Sequence, residues 1–139
     1  MARRTRTIGA DYRLVFTPTT NPLSQTPLMR VALETAQAFA TFRYGLTVDE
    51  QRDGNQIRYT IRGLAAPDLN LAGAGRAEFV HEYSDLWGMC TVHVQGLDGT
   101  VSSCTVRLTP GRAELITKPD SIHLVVETRS TGELPQESP

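Results

Sequence analysis

The sequence predicts a mainly β domain, closed either as an antiparallel sandwich or as a meander barrel of about eight strands. Three observations carry this reading. From Thr41 onward, short segments alternate apolar and polar residues, as strands with one buried face do. Turn signals such as Asp53-Gly54, Asp98-Gly99 and Pro110-Gly111 separate those segments at regular spacing. A chain of 139 residues with a hydrophobic fraction of 40% can also bury one core, so a single domain over 1–139 is expected, with frayed ends at 1–10 and 130–139.

Taken in order, Tyr12 to Thr17 is a short β-prone run. The proline-punctuated stretch from Pro18 to Pro27 follows as a loop, because proline lacks the amide proton that a central strand must donate. Over 28–39 two periods compete. Thr26 suits a helix cap and Pro27 a first helical position, with Leu28, Val31, Ala32, Thr35 and Phe39 on one helical face; Val31, Leu33 and Thr35 also alternate as in a strand. The reading adopted is a short helix. Strands are then expected over 42–50, 56–63, 76–83, 89–96, 100–108, 112–117 and 122–128, joined by the flexible connection Ala65 to Gly75 and by tight turns.

The turns predict registers. A two-residue Asp53-Gly54 loop of type I′ sets Val48 against Tyr59 and Leu46 against Ile61, with Asp49 facing Arg58 and Thr47 facing Thr60 on the outer side. Such exposed pairs contribute about 0.2–1 kcal/mol each. For Gly96-Leu97-Asp98-Gly99-Thr100 a three-residue loop with Gly99 left-handed sorts the faces, pairing Val92 with Cys104 and Cys90 with Val106. A type II turn at Pro110-Gly111 sets Leu108 against Ala113 and Val106 against Leu115. One face should therefore bury Cys90, Val92, Val94, Cys104, Val106, Leu108 and Leu115. The other carries Thr91, His93, Gln95, Ser103, Thr105 and Arg107.

If Ser84-Asp85-Leu86-Trp87 closes a further hairpin, with Tyr83 opposite Gly88, then His81 faces Cys90, Cys104 lies one strand beyond, and Glu78 pairs with His93 on the open face. One His and two thiols are ligands that suit Zn²⁺. No fourth ligand is visible, a slip of one residue sends His81 to the solvent side, and buried cysteines behave as small hydrophobes, so Cys90 and Cys104 are read as core residues and neither a metal on His81, Cys90 and Cys104 nor a cofactor is expected. A Cys90–Cys104 disulfide is not expected either, since the two are diagonal in this register. Trp87 is read as a plug at the end of the sandwich, with an exposed anchor for a partner as the rival.

Composition narrows the function. The formal charge of −1 argues against a dedicated nucleic-acid binder, and no apolar run reaches the ~20 residues of a membrane span. Thirteen of the fourteen basic residues are arginine, a side chain enriched at interfaces. The first ten residues carry three arginines and no apolar segment, so reduced thiols and a cytoplasmic setting are expected. With no catalytic motif in view, the expectation is a non-catalytic binding or interaction module that self-associates. The alternative is a small-ligand barrel or small barrel enzyme with an interior cavity lined by Tyr44, Tyr59, His81 and Tyr83, with Trp87 nearby.

Overall fold

The computed structural model describes residues 12–35, 45–65, 78–121 and 123–129. The expected frayed ends and Tyr44 lie outside this set. Nine strands form among the described residues: β1 (Tyr12–Thr20), β2 (Pro27–Thr35), β3 (Gly45–Asp53), β4 (Gln56–Ala65), β5 (Glu78–Tyr83), β6 (Gly88–Gln95), β7 (Val101–Thr109), β8 (Arg112–Thr117) and β9 (Leu124–Thr128). They hydrogen-bond in the order β8-β7-β6-β4-β3-β5-β2-β1-β9. Between β3 and β5 the link is one residue pair, Gly45 with Glu78. The molecule is therefore two mixed sheets, β8-β7-β6-β4-β3 and β5-β2-β1-β9, packed as a sandwich and not closed as a barrel.

Sandwich packing is as the sequence predicts; a purely antiparallel meander is not. β4 runs parallel to β6, and β1 parallel to β9. No helix forms over 28–35. That stretch is β2, paired with β1 and β5, with Met29, Val31 and Leu33 inward and almost fully buried. Both periods fit its sequence, and the strand wins because it lies between two partners and fills the core with every second residue. Nor is 18–27 all loop. β1 runs on through Pro18 to Thr20, and the turn spans Asn21–Thr26, with Gln25 at φ 61°. Pro18 is tolerated because Phe16 makes the last contact with the β9 side, its carbonyl accepting from Arg129 N–H at 3.0 Å. Pro18, two residues further, aims its missing donor at that same side, where no strand continues.

The core lies between the sheets. Leu14, Phe16, Met29, Val31 and Leu33 from one sheet meet Ile57, Tyr59, Ile61, Cys90, Val92, Val94, Cys104, Val106 and Leu108 from the other. Each fully buried Leu, Val, Ile or Phe contributes about 1.5–3 kcal/mol. The predicted β6–β7 and β7–β8 registers form as read: Val92 opposes Cys104, Cys90 opposes Val106, Leu108 opposes Ala113 and Val106 opposes Leu115. Gly99, at φ 88°, closes the first of these turns as a left-handed residue that a β-carbon would strain. Every residue of the predicted apolar face is buried except Leu115, which is partly so.

Candidate functional site

Two polar groupings stand out, and both depend on the β3–β4 hairpin. Its loop is Gly54-Asn55, not Asp53-Gly54, with Asp53 opposite Gln56. Only Gly54 has positive φ, at 61°, the pattern of a type II′ turn and not the predicted I′. Glu50 thus faces Tyr59, and Val48 faces Ile61. Beyond Val48, Arg62 is extra in β4: Thr47 opposes Gly63, and Arg62 Nε donates to Asp49 Oδ2 at 2.7 Å. The predicted pairs Val48–Tyr59, Leu46–Ile61, Asp49–Arg58 and Thr47–Thr60 do not form. That register places apolar residues opposite one another throughout, whereas here Glu50 and Arg52 point inward with Val48.

Those two charges find partners where the sheets part. Past the Gly45–Glu78 pair, β3 and β5 diverge, and side chains span the opening. Tyr83 Oη donates to Glu50 Oε2 at 2.5 Å, and the Tyr59 and Tyr83 hydroxyls lie 2.8 Å apart. His81 Nδ1 sits 2.6 Å from Glu50 Oε1, and its ring stacks on Tyr83 with centroids 4.0 Å apart. Arg52 lies over the Tyr83 ring at 5.5 Å and donates to Asp85 Oδ1 at 2.8 Å. Burial pushes both phenols above the ordinary tyrosine range, and the Glu50 carboxylate beside them adds to this. The Arg52 guanidinium in turn holds the Asp85 carboxyl below its ordinary value. In this clasp polar groups of β3 and β4 meet partners on β5 or at Asp85 just beyond it, so its chemistry is that of a fastening.

The clasp brings together Tyr59, His81 and Tyr83 of the predicted ligand residues. Trp87 stands apart, its indole N–H donating to Ser84 O at 3.1 Å and its ring packing on the core, so it stays close to the predicted plug. Ser84 to Trp87 is not a hairpin bend. It carries the chain from one sheet to the other, with Leu86 fully buried on the way. Asn55 anchors this crossing: its Nδ2 donates to Trp87 O and Met89 O, and its own carbonyl accepts from Thr91 N–H. The predicted pairs of His81 with Cys90, Tyr83 with Gly88 and Glu78 with His93 therefore do not form. His81 opposes Val31, Tyr83 opposes Met29 and Glu78 opposes Glu34. Among the described residues no three His, Cys, Asp or Glu side chains are grouped to hold a metal ion. Cys90 and Cys104 are free, buried and diagonal, their thiols pushed by burial to about 11 and about 12.

The second grouping lies on the outer face of the five-stranded sheet. A groove of about 230 Å³ is lined by Gln51, Arg52, Asp53, Gln56, Ile57, Arg58 and His93. Arg58 faces Gln51 across β3–β4 and His93 across β4–β6, so strand alternation turns all three outward. Arg58 Nη1 donates to Gln95 Oε1 at 3.4 Å, and His93 Nδ1 lies 2.7 Å from Ser103 Oγ. Sequence reasoning had His93 on this open face but missed the groove, because the parallel β4–β6 pairing that creates it joins strands far apart in the chain. It also missed Glu50 and Arg52; the signal for them was the charged residues at every second position after Val48.

The described residues contain no helix long and apolar enough to cross a membrane. Compared with protein-family models, with curated proteins and with solved structures, the chain matches none of them.

Proposed function

We propose that the protein is a non-catalytic binding module that meets its partner with the outer face of the five-stranded sheet, at the Arg58–His93 groove. One observation carries this reading: Arg58 is half-buried there without a carboxylate among the described residues. A guanidinium held this way retains most of its five N–H donors for a partner. The groups that could otherwise serve catalysis are engaged elsewhere. The thiols are buried as neutral groups, and His81, Tyr59 and Tyr83 are tied into the clasp. We also infer that the module self-associates, supported by the arginine-rich composition, and that it works in the cytoplasm, supported by the two free buried thiols.

Light scattering on size-exclusion fractions tests self-association. The expected result is a mass above one chain at high protein concentration that falls in Arg58→Gln. A single chain at every concentration removes self-association from the proposal. A second reading, a small-ligand binder, is favoured by the groove's volume of about 230 Å³, which is below that of a drug-sized site and has room for a fragment-sized molecule. Its site is then this surface groove. The space between the sheets is occupied by side chains such as Phe16, Tyr59 and Leu108, each 0% exposed.

A further inference from the structure

We propose that the groove over β3, β4 and β6 is an oxyanion site, taking a carboxylate or phosphate group on Arg58 and His93. This inference rests on the groove being the binding surface and adds the chemistry of what it binds. The comparison with the other described arginines is decisive. Arg13 bonds Glu34 and Glu127, Arg52 bonds Asp85, Arg62 bonds Asp49 and Arg129 bonds Glu127, each at 3.3 Å or less. Arg30 and Arg107 sit within 3.8 Å of Glu78 and Glu114. Arg112 has no carboxylate among the described residues either, but it is exposed, so it keeps access to solvent. Among the described residues, Arg58 alone of the arginines combines partial burial with the lack of a carboxylate partner. A half-removed hydration shell leaves a guanidinium disposed to take a bidentate oxyanion.

His93 supplies the second donor. In the tautomer in which the Ser103 hydroxyl donates to Nδ1, the ring proton resides on Nε2, which has no partner among the described residues. Gln51 and Gln56 line the same groove with neutral amides. One carboxylate opposes an anion: Asp53, exposed at the hairpin end. Asp120, on the neighbouring segment, already accepts from Ser103 N–H at 3.0 Å. The assignment therefore predicts opposite signs for two neutralising substitutions.

The test is an amide-resonance titration at constant ionic strength with three separate probes: inorganic phosphate, succinate and neutral acetamide. Phosphate or succinate should shift the amides of residues 51–53, 56–58 and 93, and the stronger of the two identifies the source of the oxyanion. Arg58→Gln should weaken that binding about tenfold or more, and Arg58→Lys should retain part of it, since lysine keeps the charge without the fork. Asp53→Asn should tighten it. Unchanged resonances in the Leu97–Gly99 turn confirm that each variant is folded. Anion shifts that persist in Arg58→Gln, or binding weakened by Asp53→Asn, overturn the assignment. If acetamide alone moves the groove resonances, the groove reading stands and the oxyanion class falls. If no probe moves them, both fall.

Discussion

His81 and His93 make an instructive pair. Each sits on a strand, each is held through Nδ1, and the two lie in different sheets. His81 meets a carboxylate that also accepts from Tyr83, and the group spans the opening between β3 and β5. His93 meets a serine on an outer face, beside an arginine that no carboxylate among the described residues neutralises. Similar residue types thus fasten the sandwich in one place and leave donors available in the other. What differs is engagement: where polar groups satisfy one another between elements they contribute stability, and where they remain open on a face they can contribute recognition.

The comparison is broken most severely at the base of the clasp. Tyr59 is fully buried, packs edge-on to Phe79 at 5.5 Å and meets Tyr83 through its hydroxyl. Tyr59→Ala should cost about 3–5 kcal/mol, as deletion of a buried aromatic does, read from urea denaturation. A loss below about 1 kcal/mol would mean that the clasp is not rooted in the core. Glu50→Ala comes next. It leaves the buried Tyr83 hydroxyl without its acceptor and should cost about 1–3 kcal/mol. Glu50→Gln keeps an acceptor and should recover part of that loss. Equal losses in the two variants would show that the carboxylate's hydrogen bonds contribute little.

An alkaline titration sharpens the same contrast. Unfolded thiols ionise near their ordinary value of 9.0, whereas burial moves Cys90 to about 11 and Cys104 to about 12 in the folded protein. Between those limits the unfolded chain holds fewer protons than the folded one, so stability falls as pH rises. The slope is at most about 1.4 kcal/mol per pH unit for each group. The buried phenols act with the same sign, starting nearer 10.0. The melting temperature should therefore decline above pH 9, and more gently in Cys104→Ala. A flat profile to pH 11 would contradict the burial of these groups as neutral acids.

How far the sequence carried this picture depends on chain distance. The β6–β7–β8 meander was legible except for the register shift at Thr105–Val106 in the β7–β8 pair, because each turn joins consecutive strands and only one register sorts Cys90, Val92, Cys104 and Val106 onto one side. The clasp was half legible. Tyr59, His81 and Tyr83 were grouped in advance, but for an interior cavity, and Glu50 escaped because the register was chosen to put apolar residues opposite one another. A partly buried carboxylate held by two partners breaks that criterion. The crossing at Ser84–Trp87 was misread for a related reason. Local chemistry signals a bend and is silent on which sheet follows, although apolar Leu86 inside it hinted at burial. The parallel pairs β1–β9 and β4–β6 have no turn of their own to announce them, and the groove was lost with the second of these.

The smallest expected effect separates the two regions most directly. Arg58 carries one 3.4 Å hydrogen bond to Gln95 and no ion pair among the described residues, so the folded state should hardly depend on its charge. Arg58→Gln should shift the urea midpoint by less than the equivalent of about 0.5 kcal/mol, the usual range for surface substitutions, while Glu50→Ala in the clasp shifts it several times further. A cost for Arg58→Gln similar to that of Glu50→Ala would make the guanidinium a structural group and the groove a second fastening. A small gain on substitution would be the most telling outcome. A half-buried charge that stabilises nothing in the folded chain is one that awaits an anion from outside it.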